Sequence, residues 1–279
     1  MTEGDAATFE VVLSHASHED IVVAAAAGSG TATAGTDFDA SPQNVTIPAG
    51  TLSAAFTIQT TQDAVYEPDE DFSVSFSGGV TGEVNLVPGS VSGTIVNDDS
   101  IPVLSIGDAT ILEGGIAVFT VSLSGASSEE IAVNVSTLPG TAGVDDLDLP
   151  VGLVVFAPGE TSRTFEVQTL ADGLDEPDED FSVHLDSVGA GTASISGVAD
   201  TGVGTILDNN ATPSVIVHDA DGDEGTVLSF VVELSGASSQ NTTLTLGTID
   251  GTAVSPDDFF GNNRVCDHSR RSDSRNSDI

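Results

Sequence analysis

Two stretches of this sequence gather oxygen ligands at short spacing. Residues 67–74 read EPDEDFSV and follow Asp63, so Asp63, Glu67, Asp69, Glu70 and Asp71 crowd the entry to an apolar run at Phe72; Asp98 and Asp99 follow the next such run. The string returns at 176–183 behind Asp172 and Asp175, and Asp208-Asn209-Asn210 stands where Asn97-Asp98-Asp99 stood. No histidine or cysteine is gathered with these acids. Calcium takes six to eight oxygens from carboxylates, carbonyls and water, whereas zinc draws on His and Cys, so the ligand chemistry on offer is that of a hard cation. Without a cation the same charges repel one another at close range. Not every acid reads as a ligand. Asp69, Asp71, Asp178 and Asp180 alternate with the others as solvated turn residues, and Asp37 and Asp258 read as turn formers. Asp219, Asp221 and Asp223 in HDADGDEG resemble the start of a calcium loop, but the glycine is misplaced for an EF-hand.

For these acids to converge, regular elements must carry them, and an internal repeat supplies those elements. The second EPDEDFSV lies 109 residues after the first. GTA tripeptides begin at Gly30, Gly140 and Gly251, Glu-Gly pairs at Glu3, Glu113 and Glu224, and GTI at Gly93 and Gly204, all near the same offset. Independent landmarks in register mean duplicated domains. In the second copy, apolar residues alternate over 103–106, 116–123, 131–135, 153–156, 164–170, 181–185 and 203–207, separated by Gly, Pro, Asp and Ser. Seven short runs of period two, with no sustained helical period, predict an all-β fold of tandem immunoglobulin-like seven-stranded β-sandwiches. The expected domains are 1–99, its first strand missing; 100–210, complete; and 211–260, truncated. Asp98 to Pro102 form a linker short enough to hold the first two end to end.

Composition narrows the function classes. With 44 Asp and Glu against five arginines and a formal charge of -39, the chain has no basic stripe for nucleic acid, and cations are its natural partners. Acidic excess also keeps proteins soluble, so total charge alone does not separate a metal site from a solvated surface. No apolar stretch of about 18 residues exists to span a membrane, and residues 1–10 have neither the basic nor the apolar region of a signal peptide. The single Cys266 excludes an internal disulfide framework. It sits in residues 261–279, a polar tail with four of the five arginines and no strand-like alternation. Such an abrupt change fits a reading-frame break or a genuine polar tail; an alternative frame after Phe260 that restores an acidic β-repeat distinguishes the two.

GTATAGTDF at 30–38, the turns at Pro48 and Pro158, the acidic segment and the closing GTIVNDD at 93–99 resemble the Calx-β repeat over about residues 1–260. That resemblance implies a seven-stranded immunoglobulin-like sandwich whose loops bind calcium, as in sodium/calcium exchangers and large bacterial surface proteins. Carried across position by position, the family's ligands fall on Glu3, Asp63, Glu67, Glu70, Asp98 and Asp99 in the first copy. In the second they fall on Glu113, Asp172, Glu176, Glu179 and Asp208, and in the third on Glu224. The chain departs from the pattern at Ser29 and Pro139 before GTA, at Gln62 and Ala171 before Asp63 and Asp172, and at Asn209 and Asn210. The expected load is one or two ions in the first copy and one in the second.

The functional expectation is a non-enzymatic, calcium-binding structural module of a larger extracellular or cell-surface adhesion protein. Its partners are calcium ions, the neighbouring repeats and other surface proteins. The rival readings are a calcium-independent interaction or spacer array and a calcium-sensing regulatory domain of a membrane-associated protein. Paired carboxylates could run glycoside hydrolysis, but the acids recur on loops in each copy and no Trp offers a sugar platform. Gly-x-Ser-x-Gly, His-Glu-x-x-His and phosphate-loop patterns are absent.

Overall fold

Alternating burial of successive side chains shapes most of the long strands. The computed structural model describes residues 1–81, 84–85, 87, 89–261, 264–268 and 274–278, and among these there are strands and no helix. The first repeat contains β1 (Ala6–Val12), β2 (Ile21–Ser29), β3 (Gln43–Ile47), β4 (Ser53–Gln59), β5 (Val65–Tyr66), β6 (Glu70–Thr81) and β7 (Ser90–Ile95). The second contains β8 (Val103–Ile106), β9 (Ala109–Leu112), β10 (Ile116–Leu123), β11 (Ala126–Ser127), β12 (Ile131–Pro139), β13 (Val151–Phe156), β14 (Ser162–Gln168), β15 (Leu174–Asp175), β16 (Glu179–Ala190), β17 (Ser194–Ile195) and β18 (Thr201–Leu207). In β10, Ala117, Phe119, Val121 and Leu123 turn inward while Ile116 and Val118 face solvent, the period-two pattern of a half-buried strand.

The second repeat is a two-sheet sandwich. One sheet has the order β14-β10-β8-β17 and the other β13-β12-β16-β18-β9, with the inward faces of both meeting in one core. The first repeat shows the same layers, β1-β4 against β3-β2-β6-β7. Sequence pattern predicts seven strands for the second repeat, and the structure adds short ones. The most consequential addition is β9, which splits the leading segment: β8 joins one sheet and β9 crosses to pair in parallel with β18 in the other. The break falls at Gly107-Asp108, where Asp108 Oδ1 accepts the Val203 backbone N–H at 2.8 Å. In the first repeat the counterpart of β9 is a parallel bridge from Thr2 to Val96, and no counterpart of β8 exists among the described residues.

The repeated landmarks have packing reasons. Glu3 and Glu113 each precede a glycine in left-handed backbone, with φ of 75° at Gly4 and 77° at Gly114, a conformation that costs other residues steric strain. Gly93 and Gly204 lie under the aromatic rings of Phe72 and Phe181: an added Cβ at Gly93 would come within 2.6 Å of Phe72, and one at Gly204 would run into Phe181. Phe181 also packs edge-on to Phe119 at 5.7 Å between centroids, and Phe72 stacks on Phe38 at 4.7 Å.

Beyond 211 the chain forms β19 (Val215–Val217), β20 (Ser229–Leu234), β21 (Ala237–Ser238), β22 (Thr242–Leu246), β23 (Arg264–His268) and β24 (Ser274–Asp278). The tail, expected to lack strands, supplies β23 against β22 and β24 against β20. Open sheet edges present unpaired backbone groups that accept a partner strand whatever its side-chain pattern. Val232 and Leu234 are the buried apolar residues described in this segment, so it has no core comparable with those of the first two repeats.

Adjacent repeats share a backbone device. The two residues of β5 pair in parallel with β11, Val65 opposite Ala126 and Tyr66 opposite Ser127, and Ser128 N–H donates to Tyr66 O at 3.0 Å. At the next junction β15 pairs with β21 in the same manner, Leu174 opposite Ala237 and Asp175 opposite Ser238.

Replacing Gly204 with Ala is expected to lower stability by about 1–3 kcal/mol, the cost of forcing a methyl group into a filled core. Chemical denaturation of the full chain followed by circular dichroism checks this; an unchanged midpoint would contradict the packing role assigned to Phe181 and Gly204.

Candidate metal centre

The acidic loops meet at the end of each sandwich that faces the next repeat, and the strands dictate which carboxylates point together. In β6, burial of Phe72 places Glu70, two residues earlier, on the same side of the strand, while Asp71 points away. Asp71 is used structurally: its Oδ1 accepts from Thr31 Oγ1 at 2.9 Å, and Thr31 Oγ1 in turn accepts the Asp71 N–H at 2.8 Å. Asp180 makes the same exchange with Thr141, and the hydrogen bonds it accepts from the Thr141 backbone N–H and then the Thr141 hydroxyl hold its carboxyl below the usual range. Asp69 and Asp178 accept the backbone N–H of Asn97 and Asp208, tying the acidic segment to the closing strand. Asp63 and Asp172 accept from Val65 and Leu174 two residues on, closing the turns that lead into β5 and β15.

Three carboxylate groups result among the described residues. In the first repeat Glu3, Asp63 and Asp99 form one and Asp37, Glu67 and Glu70 another; in the second, Asp146, Glu176 and Glu179 form the third. Within each group, oxygens from all three residues lie within 4.8 Å of one another. Oxygens on opposite sides of a calcium ion, each at 2.3–2.6 Å, are separated by about 5 Å, so the spacing fits a shared cation. Glu3 and Asp63 of the first group and all three members of the second line one crevice with Thr36, Thr61, Pro68 and Ile95. A second observation points to a ligand. Glu3 is 7% exposed, and its Oε2, like Asp99 Oδ2, is enclosed without a hydrogen-bond partner among the described residues. Buried carboxylate oxygens left without a donor are costly, and a cation satisfies them.

The electrostatics agree with the geometry. Burial, then the charges of Asp99, Glu67, Asp63 and Asp98, push Glu3 up to about 7. Burial with Asp37 and Glu67 beside it does the same to Glu70, and burial with Asp146 and Glu176 to Glu179, each to about 7. Glu67, Glu113 and Glu176 are raised for the same reasons, burial first.

Set against the sequence expectation, Glu3, Asp63, Asp99, Glu67, Glu70, Glu176 and Glu179 fall in the three groups. Glu113, Asp172 and Asp208 line the second repeat's crevice outside its group. Asp98 is exposed and accepts from Gln62 Nε2 at 3.1 Å. Glu224 is exposed and belongs to no such group among the described residues. Two further residues join the sites: Asp37, expected only as a turn former, and its counterpart Asp146, which sequence reasoning missed. Each does hold a turn, through the Thr33 N–H at 2.6 Å and the Gly143 N–H at 2.7 Å, yet also offers an oxygen to the glutamates. Their recurrence 109 residues apart was the available signal.

The model of one family, the Calx-beta domain, matches residues 2–100, 107–212 and 208–265. The chain belongs to the Calx-beta domain family. Among curated relatives it is similar to adhesion G-protein coupled receptor V1 of Danio rerio, 29% identical over 61% of this chain and 3% of the receptor. It is also similar to sodium/calcium exchanger 1 of Cavia porcellus, 32% identical over 39% of this chain and 12% of the exchanger. The chain thus spans a small part of these Calx-beta proteins. Solved structures similar to it include CBD12 from CALX1.2, 19% identical with a TM-score of 0.33, covering 72% of this chain and 92% of that one. Another is the apo form of the Calx CBD1 domain, 25% identical with a TM-score of 0.37, covering 40% of this chain and all of that one.

The raised glutamates set a pH dependence for the Calx-beta repeats in chelator. Their folded pKa values lie above the unfolded 4.5, so the folded form holds extra protons between about 4.5 and 7. That contribution is fully present below 4.5 and lost as pH rises through 7. Melting in chelator is therefore expected to be higher at pH 5.5 than at pH 8, as read by differential scanning calorimetry; a flat or opposite trend would contradict the clustering.

Proposed function

We propose that this chain is a calcium-binding structural array, in which ions held at the end of one repeat fix its orientation to the next. The observation that carries this reading is that one loop does both jobs. Residues 63–70 supply Asp63, Glu67 and Glu70 to the two carboxylate groups and also the two residues of β5 that pair with β11. The Ser128 backbone N–H of the next repeat donates to the Tyr66 carbonyl at 3.0 Å, one residue before Glu67, so a candidate ligand of one repeat adjoins the next. In the second repeat, Asp175 between Asp172 and Glu176 receives Ser238 Oγ at 3.1 Å and Ser239 N–H at 3.1 Å. A cation that draws these carboxylates together orders the loop and with it the inter-repeat pairing.

Similarity to an adhesion receptor over more than half of the chain supports placing the array in an extracellular or cell-surface protein, as a spacer or adhesive stalk. Similarity to an exchanger supports the second reading, a calcium-sensing regulatory domain of a membrane-associated protein. In both, the role is binding rather than catalysis. Neighbouring repeats and other surface proteins are the partners such an array would meet.

An ion that binds only the folded form stabilises it by about 2.7 kcal/mol at a hundredfold excess over its dissociation constant. Thermal unfolding of the full chain is therefore expected to shift upward by several degrees in millimolar calcium relative to chelator, with a much smaller shift in magnesium. The rise belonging to the second repeat should vanish in the Glu176→Gln, Glu179→Gln double variant. No calcium-specific rise in the unaltered chain would instead indicate a calcium-independent interaction array.

A further inference from the structure

The two complete acidic crevices are built on the same loops but do not solve the same electrostatic problem in the same way. In the first repeat, Glu3 and Asp99 keep enclosed carboxylate oxygens that find no donor among the described residues. In the second, the position of Asp99 is taken by Asn210, whose Nδ2 donates to Oε1 of Glu113, the counterpart of Glu3, at 2.8 Å. The same amide lies 3.4 Å from Asp208 Oδ1, and the Asn210 backbone N–H donates to that oxygen at 3.2 Å. Asn209 Nδ2 donates to the Glu113 carbonyl at 3.2 Å. The glutamate that keeps an enclosed oxygen without a donor in the first repeat is met, in the second, by the Asn210 amide. Consistent with this, Glu113 and Asp172 belong to no close group of three carboxylates among the described residues, while Glu3 and Asp63 do.

We propose that the Asn210 side-chain amide is a built-in replacement for one cation, so that the first repeat takes two ions and the second only one, at Asp146, Glu176 and Glu179. This rests on the calcium-binding reading above. An amide is neutral and can offer two N–H donors, so it satisfies two carboxylates without adding a carboxylate of its own. It is bonded whether or not calcium is present, which leaves one half of the second crevice formed without metal. The first crevice, by contrast, depends on an ion at both of its groups. The second junction accordingly needs less calcium to form than the first, and the array is graded along its length.

The test is calcium stoichiometry and melting of the full chain, by equilibrium dialysis and by calorimetry in chelator. The unaltered chain is expected to bind three ions, one for each carboxylate group. Asn210→Asp is expected to bind one more, and in chelator to melt below the unaltered chain because it exchanges a donor for a further negative charge beside Glu113. Asp99→Asn, which gives the first repeat the amide of the second, is expected to bind one fewer and to melt higher in chelator. If Asn210→Asp does not fold, Asp99→Asn carries the test alone. No calcium bound by the unaltered chain would overturn the calcium reading itself. Calcium bound with unchanged stoichiometry and unchanged melting in chelator for both variants would overturn this proposal alone, as would four ions in the unaltered chain.

Discussion

Burial of Phe72 and Phe181 against glycine forces carboxylates into a space where they repel one another. A strand alternates its faces, so anchoring Phe72 in the core turns Glu70 into the crevice at the sandwich's end, and Phe181 does the same to Glu179. Hydrogen bonds from Asp71 and Asp180 to the GTA threonines then clamp these strand starts against the loops that bring Asp37 and Asp146. Two unit charges about 4 Å apart near a protein surface repel by about 4 kcal/mol, comparable with a large part of a small domain's stability. The core therefore holds together an end whose carboxylates repel one another, a repulsion that protons or a cation would offset and that, at Glu113, a neutral donor amide eases by hydrogen bonding.

The strained end is also where repeats join. Beta pairing over two residues is too short to hold two sandwiches by itself, and both junctions place it in the turn between an Asx-capped Asp and the first crevice glutamate. Ligand chemistry and array geometry thus meet in one segment of about eight residues, 63–70, with its counterpart at 172–179.

Much of this was readable from the chain. Period-two runs located the long strands, and the repeated Glu-Gly, GTA, EPDEDF and GTI strings marked positions with strict packing reasons. Convergence across distance was less visible. Asp37 stands some thirty residues before Glu67 and reads locally as a turn former; only the sandwich brings its second oxygen to the glutamates. The β5–β11 pairing rests on backbone groups of Val65, Tyr66, Ala126 and Ser127, which carry no side-chain signature. The strands β23 and β24 formed despite a polar, arginine-rich sequence because open edges recruit backbone rather than pattern.

The central claim is that cation binding at the carboxylate crevice and the orientation of successive repeats are one equilibrium. Pulsed dipolar spectroscopy measures this directly, with spin labels at the equivalent exposed strand positions Thr8 and Val118 of the full chain and Cys266 changed to Ser. The account predicts a broad distance distribution in chelator that collapses to a single narrow one in millimolar calcium but not in magnesium. Distributions of equal width with and without calcium would contradict it.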